Sequence, residues 1–209
     1  MERTGIQYST YVQILKEELV PAMGCTEPIA LAYCAAKARE VLGCLPERCV
    51  VEASGNIVKN VKSVIVPNTG GLKGIEAAAA AGIAAGDASR ILEVISGVTE
   101  EQKAEIKAYL QNAEISVRPL ETDEILDMAV TVSGGGSCVK VRIAGYHTNI
   151  VLIEKDGEVL YKVGAVAARE AQMADRSLLN VEDIYDFAKT VDLEEVRDAI
   201  GRQIAYNSA

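Results

Sequence analysis

Apolar and polar positions change their period several times along the chain, and each change predicts an element. Tyr11, Val12, Leu15 and Leu19 share one face of a helix over 10–20, which Pro21 stops. After a short loop, Pro28 suits the first turn of a second helix, in which Leu31, Cys34, Ala35, Ala38 and Leu42 recur at helical spacing until Gly43. From Arg48 the pattern becomes β: a strand at 49–53, a turn at Ser54-Gly55-Asn56 and a β-branched run at 57–66 predict a hairpin. Residues 72–85 read as an Ala-rich helix, Asp87 as the cap of a segment to about residue 95, and Thr99-Glu100-Glu101-Gln102 as a capping box opening a helix to about residue 112. Strands follow at 115–118, 128–132, 139–143, 148–153 and 159–163, the last two joined across Lys155-Asp156-Gly157-Glu158, where Asp-Gly signals a hairpin. Met128, Val130 and Val132 alternate with Asp127, Thr131 and Ser133, and Val139, Val141 and Ile143 with Lys140 and Arg142, which predicts strands with one wet face. The tail is helical over 181–190 and 192–207. The expected class is α+β: a mostly antiparallel sheet with helices on one face, flanked by N- and C-terminal helices of a split helical unit. Its expected parts are 1–43, an inserted α/β domain at 44–165, and 166–209.

Composition narrows the function. In 209 residues, 30 acidic against 21 basic side chains leave a net charge of -9, which argues against nucleic acid or an anionic membrane surface as partner. With eight Tyr, one Phe and no Trp, base-stacking platforms are not expected, and the core must use small and β-branched side chains. No apolar run is long enough for a signal peptide or a membrane span, so a cytoplasmic protein is expected. Five cysteines without a Cys-x-x-Cys spacing predict neither a disulfide framework nor a zinc ribbon, and leave thiol or metal chemistry open.

The candidate chemistry lies in loops. Ser133-Gly134-Gly135-Gly136-Ser137 lacks the Lys-Ser/Thr and the following helix of a phosphate loop and reads as a hairpin connection. Asn68-Thr69-Gly70-Gly71-Leu72-Lys73-Gly74 runs into a helix N-terminus, where free amides and the dipole favour an anion such as a substrate carboxylate. His147 is the one histidine, so it is the single imidazole base available. Cys34 and Cys138 read as small hydrophobes, whereas Cys25 precedes a helix whose unpaired amides are expected to make its thiol unusually acidic.

Four ordered motifs carry a resemblance: Pro21-Ala22-Met23-Gly24-Cys25-Thr26-Glu27-Pro28, Ser54-Gly55-Asn56-Ile57-Val58-Lys59-Asn60, Val66-Pro67-Asn68-Thr69-Gly70-Gly71-Leu72-Lys73-Gly74 and His147-Thr148-Asn149-Ile150. Together they resemble the L-cysteine desulfidase family of the iron-sulfur L-serine dehydratase alpha-chain superfamily, over nearly the whole chain. The resemblance implies a pyridoxal-independent lyase that eliminates hydrogen sulfide from L-cysteine, or water from L-serine, to give pyruvate and ammonia. It implies a [4Fe-4S] cluster held by three cysteines, with Cys25 as the ligand in this chain. It also makes Asn56, Asn68, Thr69, Gly70 and Gly71 candidate contacts for the amino-acid carboxylate, and His147 a candidate for orienting substrate or moving a proton. Lys59 and Lys73 are further candidates.

Members of that family are about twice this long, and Gln203-Ile204-Ala205-Tyr206-Asn207-Ser208-Ala209 stops inside a helical pattern. The expectation is therefore an N-terminal half, inactive alone and without a stably bound cluster. Its partners would be a C-terminal half and, through self-association of exposed apolar helices, further copies of itself as a homo-oligomer. The competing expectation is a non-catalytic amino-acid-binding or interaction module.

Overall fold

The computed structural model describes residue 2, residues 4–164 and residues 173–208. The chain divides into two compact units, Met1–Pro21 with Arg169–Ala209, and Ala22–Ala168.

In the larger unit, α2 (Thr26–Leu42) leads into β1 (Arg48–Ala53), α3 (Gly55–Val61), α4 (Ile75–Ala85), a 3-10 segment at Ala88–Glu93, and α5 (Glu100–Asn112). The strands β2 (Glu114–Pro119), β3 (Asp127–Gly134), β4 (Ser137–Ala144), β5 (Ile150–Lys155) and β6 (Glu158–Lys162) then follow. They form one sheet of order β2-β1-β3-β4-β5-β6. Only β1 and β2 pair in parallel; all other neighbours are antiparallel. The sheet is thus mixed and mostly antiparallel, as its alternating strands predict. Cys49, Val51 and Ala53 on β1 stand opposite Val132, Val130 and Met128 on β3, which in turn face Val139, Val141 and Ile143 on β4. All nine are buried and form the sheet side of the core, against which α2 and α4 pack.

The other side of the core is built for close approach. Alanines at 30, 32, 35, 36 and 38 on α2 and 77–81 on α4 are buried. A Cβ on Gly82 would stand 2.0 Å from the Ala32 carbonyl oxygen. Glycine in mid-helix forfeits up to about 1 kcal/mol of propensity against alanine, and the backbone contact is what requires it here.

Two local expectations fail. Residues 57–61 are helical, not the second arm of a hairpin. Both edges of β1 are already taken, by β2 and β3. Ile57 and Val61, four residues apart, bury on one helical face, while the Ser54 amide and hydroxyl are held by the Asp127 and Ile125 carbonyl oxygens, both at 2.8 Å. Asp127 is also not on a wet face: it is fully buried. Its carboxylate accepts from Arg142 Nε at 2.8 Å and from Thr122 Oγ1 at 2.8 Å. The hairpin at Asp156-Gly157 forms as expected, with φ of 52° and 83° at its two central residues.

The smaller unit gathers α1 (Ile6–Glu18), a 3-10 turn at Arg176–Leu178, α6 (Val181–Thr190) and α7 (Leu193–Asn207). Helices from both ends of the sequence thus share one core of Tyr8, Tyr11, Val12, Phe187 and Val196, with the Phe187 ring tilted 5.6 and 5.4 Å from the two tyrosine rings. Tyr8 Oη accepts from the Asp192 amide, and Tyr11 Oη donates to the Leu178 carbonyl, both at 3.0 Å. The expected boundary after residue 43 moves to 21/22, because α2 packs on the sheet and on α4. The expected boundary between residues 165 and 166 lies outside the described residues.

Candidate active site at the start of helix α2

The four motifs read from the sequence meet around the N-terminus of α2. Gly24 turns the chain in the left-handed region at φ 92°, and Cys25 follows as the N-cap of α2 in extended conformation. Its side chain makes no capping bond. Instead Cys25 Sγ donates to Glu27 Oε2 at 3.1 Å. The other carboxylate oxygen, Oε1, accepts from Asn60 Nδ2 of α3 at 3.3 Å, and the charge of Glu27 also couples to His147, in the turn between β4 and β5. The loop carrying Asn68 abuts the same place: a Cβ on Gly24 would touch Pro67 Cγ at 3.8 Å.

The electrostatics correct one expectation. Desolvation, then the hydrogen bond and negative charge of Glu27, push the Cys25 thiol above its ordinary value, against a weaker pull from the Glu27 backbone amide. Cys25 is therefore held as a protonated thiol, not as the preformed thiolate that its place before a helix predicts. Burial works to raise the Glu27 carboxyl but is outweighed by the Cys25 thiol, the Glu27 backbone amide, the His147 charge and Asn60, so that Glu27 is an anion. Burial lowers the half-buried His147 imidazole, opposed by Glu27, and its buried Nε2 has no hydrogen-bond partner. The arrangement is a neutral imidazole beside an anchored carboxylate, with a thiol on that carboxylate.

The remaining candidates divide. Asn68, at φ 54°, donates through Nδ2 to the Ile95 and Ser96 carbonyls at 3.2 and 3.1 Å. The buried Thr69 hydroxyl donates to the Val66 carbonyl at 2.7 Å and accepts from the Leu72 amide at 3.1 Å. Both side chains shape the loop. Gly70 and Gly71, at φ 73° and 93°, are exposed, with nothing within 4 Å of an added Cβ. Asn56 is exposed in the first turn of α3, four residues before Asn60 and so on the same face. Lys59 and Lys73 are exposed. Glu27 and Asn60 were not singled out by sequence reasoning, although both lie inside the quoted motifs. A carboxylate two residues after the cysteine was the available signal.

The donor set does not by itself fit a [4Fe-4S] cluster. Among the described residues no group of three or more His, Cys, Asp or Glu side chains is placed to hold a metal ion. Cys34 and Cys49 are fully buried in the core, and desolvation pushes the Cys49 thiol up to about 12. Cys44 and Cys138 are exposed, with Cys44 Sγ 3.6 Å from the position of a Cβ on Gly135 in the β3–β4 turn. Cys25 is the thiol this chain offers at the site. Among the described residues no helix is long and apolar enough to cross a membrane.

The chain is similar along its whole length to a UPF0597 protein of Desulfitobacterium hafniense, with 54% identity over 209 residues, which is 49% of that protein. UPF0597 proteins of Treponema denticola and Lachnoclostridium phytofermentans are 45% and 48% identical over 96% of this chain and 47% and 48% of their own lengths. The chain thus spans about half the length of the curated relatives it matches. No model of a protein family matches it, and no solved structure does.

Proposed function

We propose that this chain supplies one half of the active site of a pyridoxal-independent lyase that carries out α,β-elimination on L-cysteine or L-serine. The observation that carries the reading is the convergence of Cys25, Glu27, Asn60, Pro67 and His147, drawn from four separate stretches of sequence, at one helix N-terminus. His147 is the base: as a neutral imidazole with a free Nε2 it takes the α-proton, and Glu27 stabilises the imidazolium that forms. The electron pair moves to form the Cα–Cβ double bond, sulfide or hydroxide leaves from Cβ, and the aminoacrylate hydrolyses to pyruvate and ammonia. The exposed Gly70-Gly71 turn and Asn56 receive the carboxylate. Were a [4Fe-4S] cluster bound in the whole protein, Cys25 would be this chain's ligand to it, and the others would have to come from the half of the relatives' length that this chain does not cover. Five free cysteines accord with a reducing, cytoplasmic setting.

The test is anaerobic co-expression of this chain with the second half present in its relatives, reconstitution with iron and sulfide, and assay of pyruvate from L-cysteine and L-serine. Activity is expected, with its acidic limb falling at a pH below the ordinary histidine value of 6.5, because burial lowers His147. His147→Ala is expected to cost roughly 10²–10⁴-fold in turnover, the usual worth of a positioned base. Binding of either amino acid without pyruvate would overturn the lyase and leave an amino-acid-binding module.

A further inference from the structure

We propose that the outward face of α6 and the last two turns of α7 seat helices from the half of its relatives' length that this chain does not cover. A short helix in a folded protein is held by packing its apolar stripe on a core rather than by propensity. α6 does the reverse. Val181, Ile184, Tyr185 and Ala188 fall at i, i+3, i+4 and i+7, one stripe of the helix, and all four are exposed, the first three by 84%, 46% and 66%. The helix is fixed from its other side, where Phe187 is buried against Tyr8 and Tyr11, and Asp183 accepts from Gln7 Nε2 of α1 at 2.6 Å. α7 is likewise seated by its first half: Val196 and Ala199 are buried, whereas residues 201–208 are all exposed, Ile204 and Tyr206 among them. Helical turns standing in water are marginal by themselves. An apolar stripe and a bare helix end, in a unit whose core is five side chains, are the surfaces of a helical layer that lacks its opposite side.

The length of the relatives supplies the occupant. The Desulfitobacterium hafniense protein matches all 209 residues with 49% of its own length, so the counterparts of α6 and α7 there are joined to as many residues again. A second copy fits less well. The flank beside the stripe carries Glu182 and Asp186 against Lys189, whose ammonium lies 5.1 Å from the centre of the Tyr185 ring. Two copies of this chain, each at a net charge of -9, would bring acidic flank towards acidic flank. The same charge disfavours an anionic membrane. The occupant is an amphipathic helical layer whose apolar stripe is bordered by basic side chains. Such docking needs only the longer chain of the relatives and is independent of the chemistry proposed for Cys25 and His147.

Hydrogen exchange reads the contact without any activity. The 209-residue chain is compared with a chimera in which it replaces the matching residues of the Desulfitobacterium hafniense protein. Amides of 185–190 and 201–207 are expected to exchange at least about tenfold more slowly in the chimera, while those of β3 and β4 change little. Tyr185→Arg, at an exposed position, is expected to leave the unfolding midpoint of the 209-residue chain unchanged and to remove most of the added protection in the chimera. Leu45→Arg, as exposed but in the larger unit, is expected to remove none. Equal exchange in chain and chimera, or added protection that Tyr185→Arg leaves intact, would overturn the proposal. So would sedimentation showing the 209-residue chain to be a dimer that Tyr185→Arg disperses, which would make a second copy the occupant. Should the chimera fail to fold, the natural Desulfitobacterium hafniense protein is read instead: slow exchange in its stretch matching 185–190 is expected, and exchange there as fast as in the isolated 209-residue chain is the contrary result.

Discussion

Replacing Gly82 with Ala tests the helix contact that holds the candidate site's main helix in place. Ordinary contact for a Cβ begins at 3.4 Å, and this one would meet the Ala32 carbonyl oxygen at 2.0 Å, with the Ala32 carbonyl carbon and Cα at 2.8 and 2.9 Å. A backbone carbonyl inside a helix has no rotamer to change, so α2 and α4 must separate by more than an ångström. Overpacking of this kind costs typically 1–3 kcal/mol and occasionally more, and a rigid backbone obstacle puts it at the upper end. Alanine returns about 1 kcal/mol of helix propensity. The net expectation is a loss of about 2 kcal/mol or more, roughly a thirtyfold fall in the folded-to-unfolded ratio. Denaturant unfolding of the two chains measures it, with Gly55→Ala as the control in the same unit, since nothing lies within 4 Å of a Cβ there. Gly82→Ala as stable as the parent, or more so, would refute the close approach of α2 and α4.

Two further outcomes are expected. Glu27→Gln removes the hydrogen-bonded charge that helps keep Cys25 protonated, so Cys25 should alkylate faster at a fixed pH near 7, with buried Cys34 and Cys49 slowest in both proteins; mass spectrometry ranks the rates, and an unchanged or slower Cys25 would contradict the thiol–carboxylate pair. Asp127→Ala removes the buried carboxylate that Arg142 and Thr122 donate to and should cost about 1–3 kcal/mol in denaturant unfolding, since the partly exposed Arg142 regains some hydration, whereas a loss under about 0.5 kcal/mol would mean that the pair is effectively solvated.

The strands that alternate cleanly were legible because each has one apolar face: β3 and β4 could be placed, paired and oriented from Met128, Val130, Val132 and their partners alone. The capping box at Thr99 and the Asp-Gly turn were legible for the same local reason. Residues 57–61 were not, because β-branched side chains suit a strand in isolation and only the occupied edges of β1 turn them helical. The site followed the same division. Cys25 and His147 stood out by residue type, but Asn60 became visible only when α3 brought its amide to Glu27. The Cys25 argument failed because it counted only the helix amides: desolvation of the sulfur, and then the Glu27 carboxylate that it hydrogen-bonds, outweigh them and reverse the sign.

The parallel pairing of β1 with β2 bears on the order in which the larger unit assembles. β3, β4, β5 and β6 are sequential neighbours joined by short connections, so their ladders close cheaply and early. β2 reaches β1 only across a connection that contains α3, α4 and α5. Asn60 and Pro67 ride on that crossover, whereas Cys25 precedes it and His147 belongs to the early meander. The site is therefore completed by the slowest-closing part of the chain. Substitutions at Asn60 should accordingly speed unfolding and leave the folding rate nearly untouched.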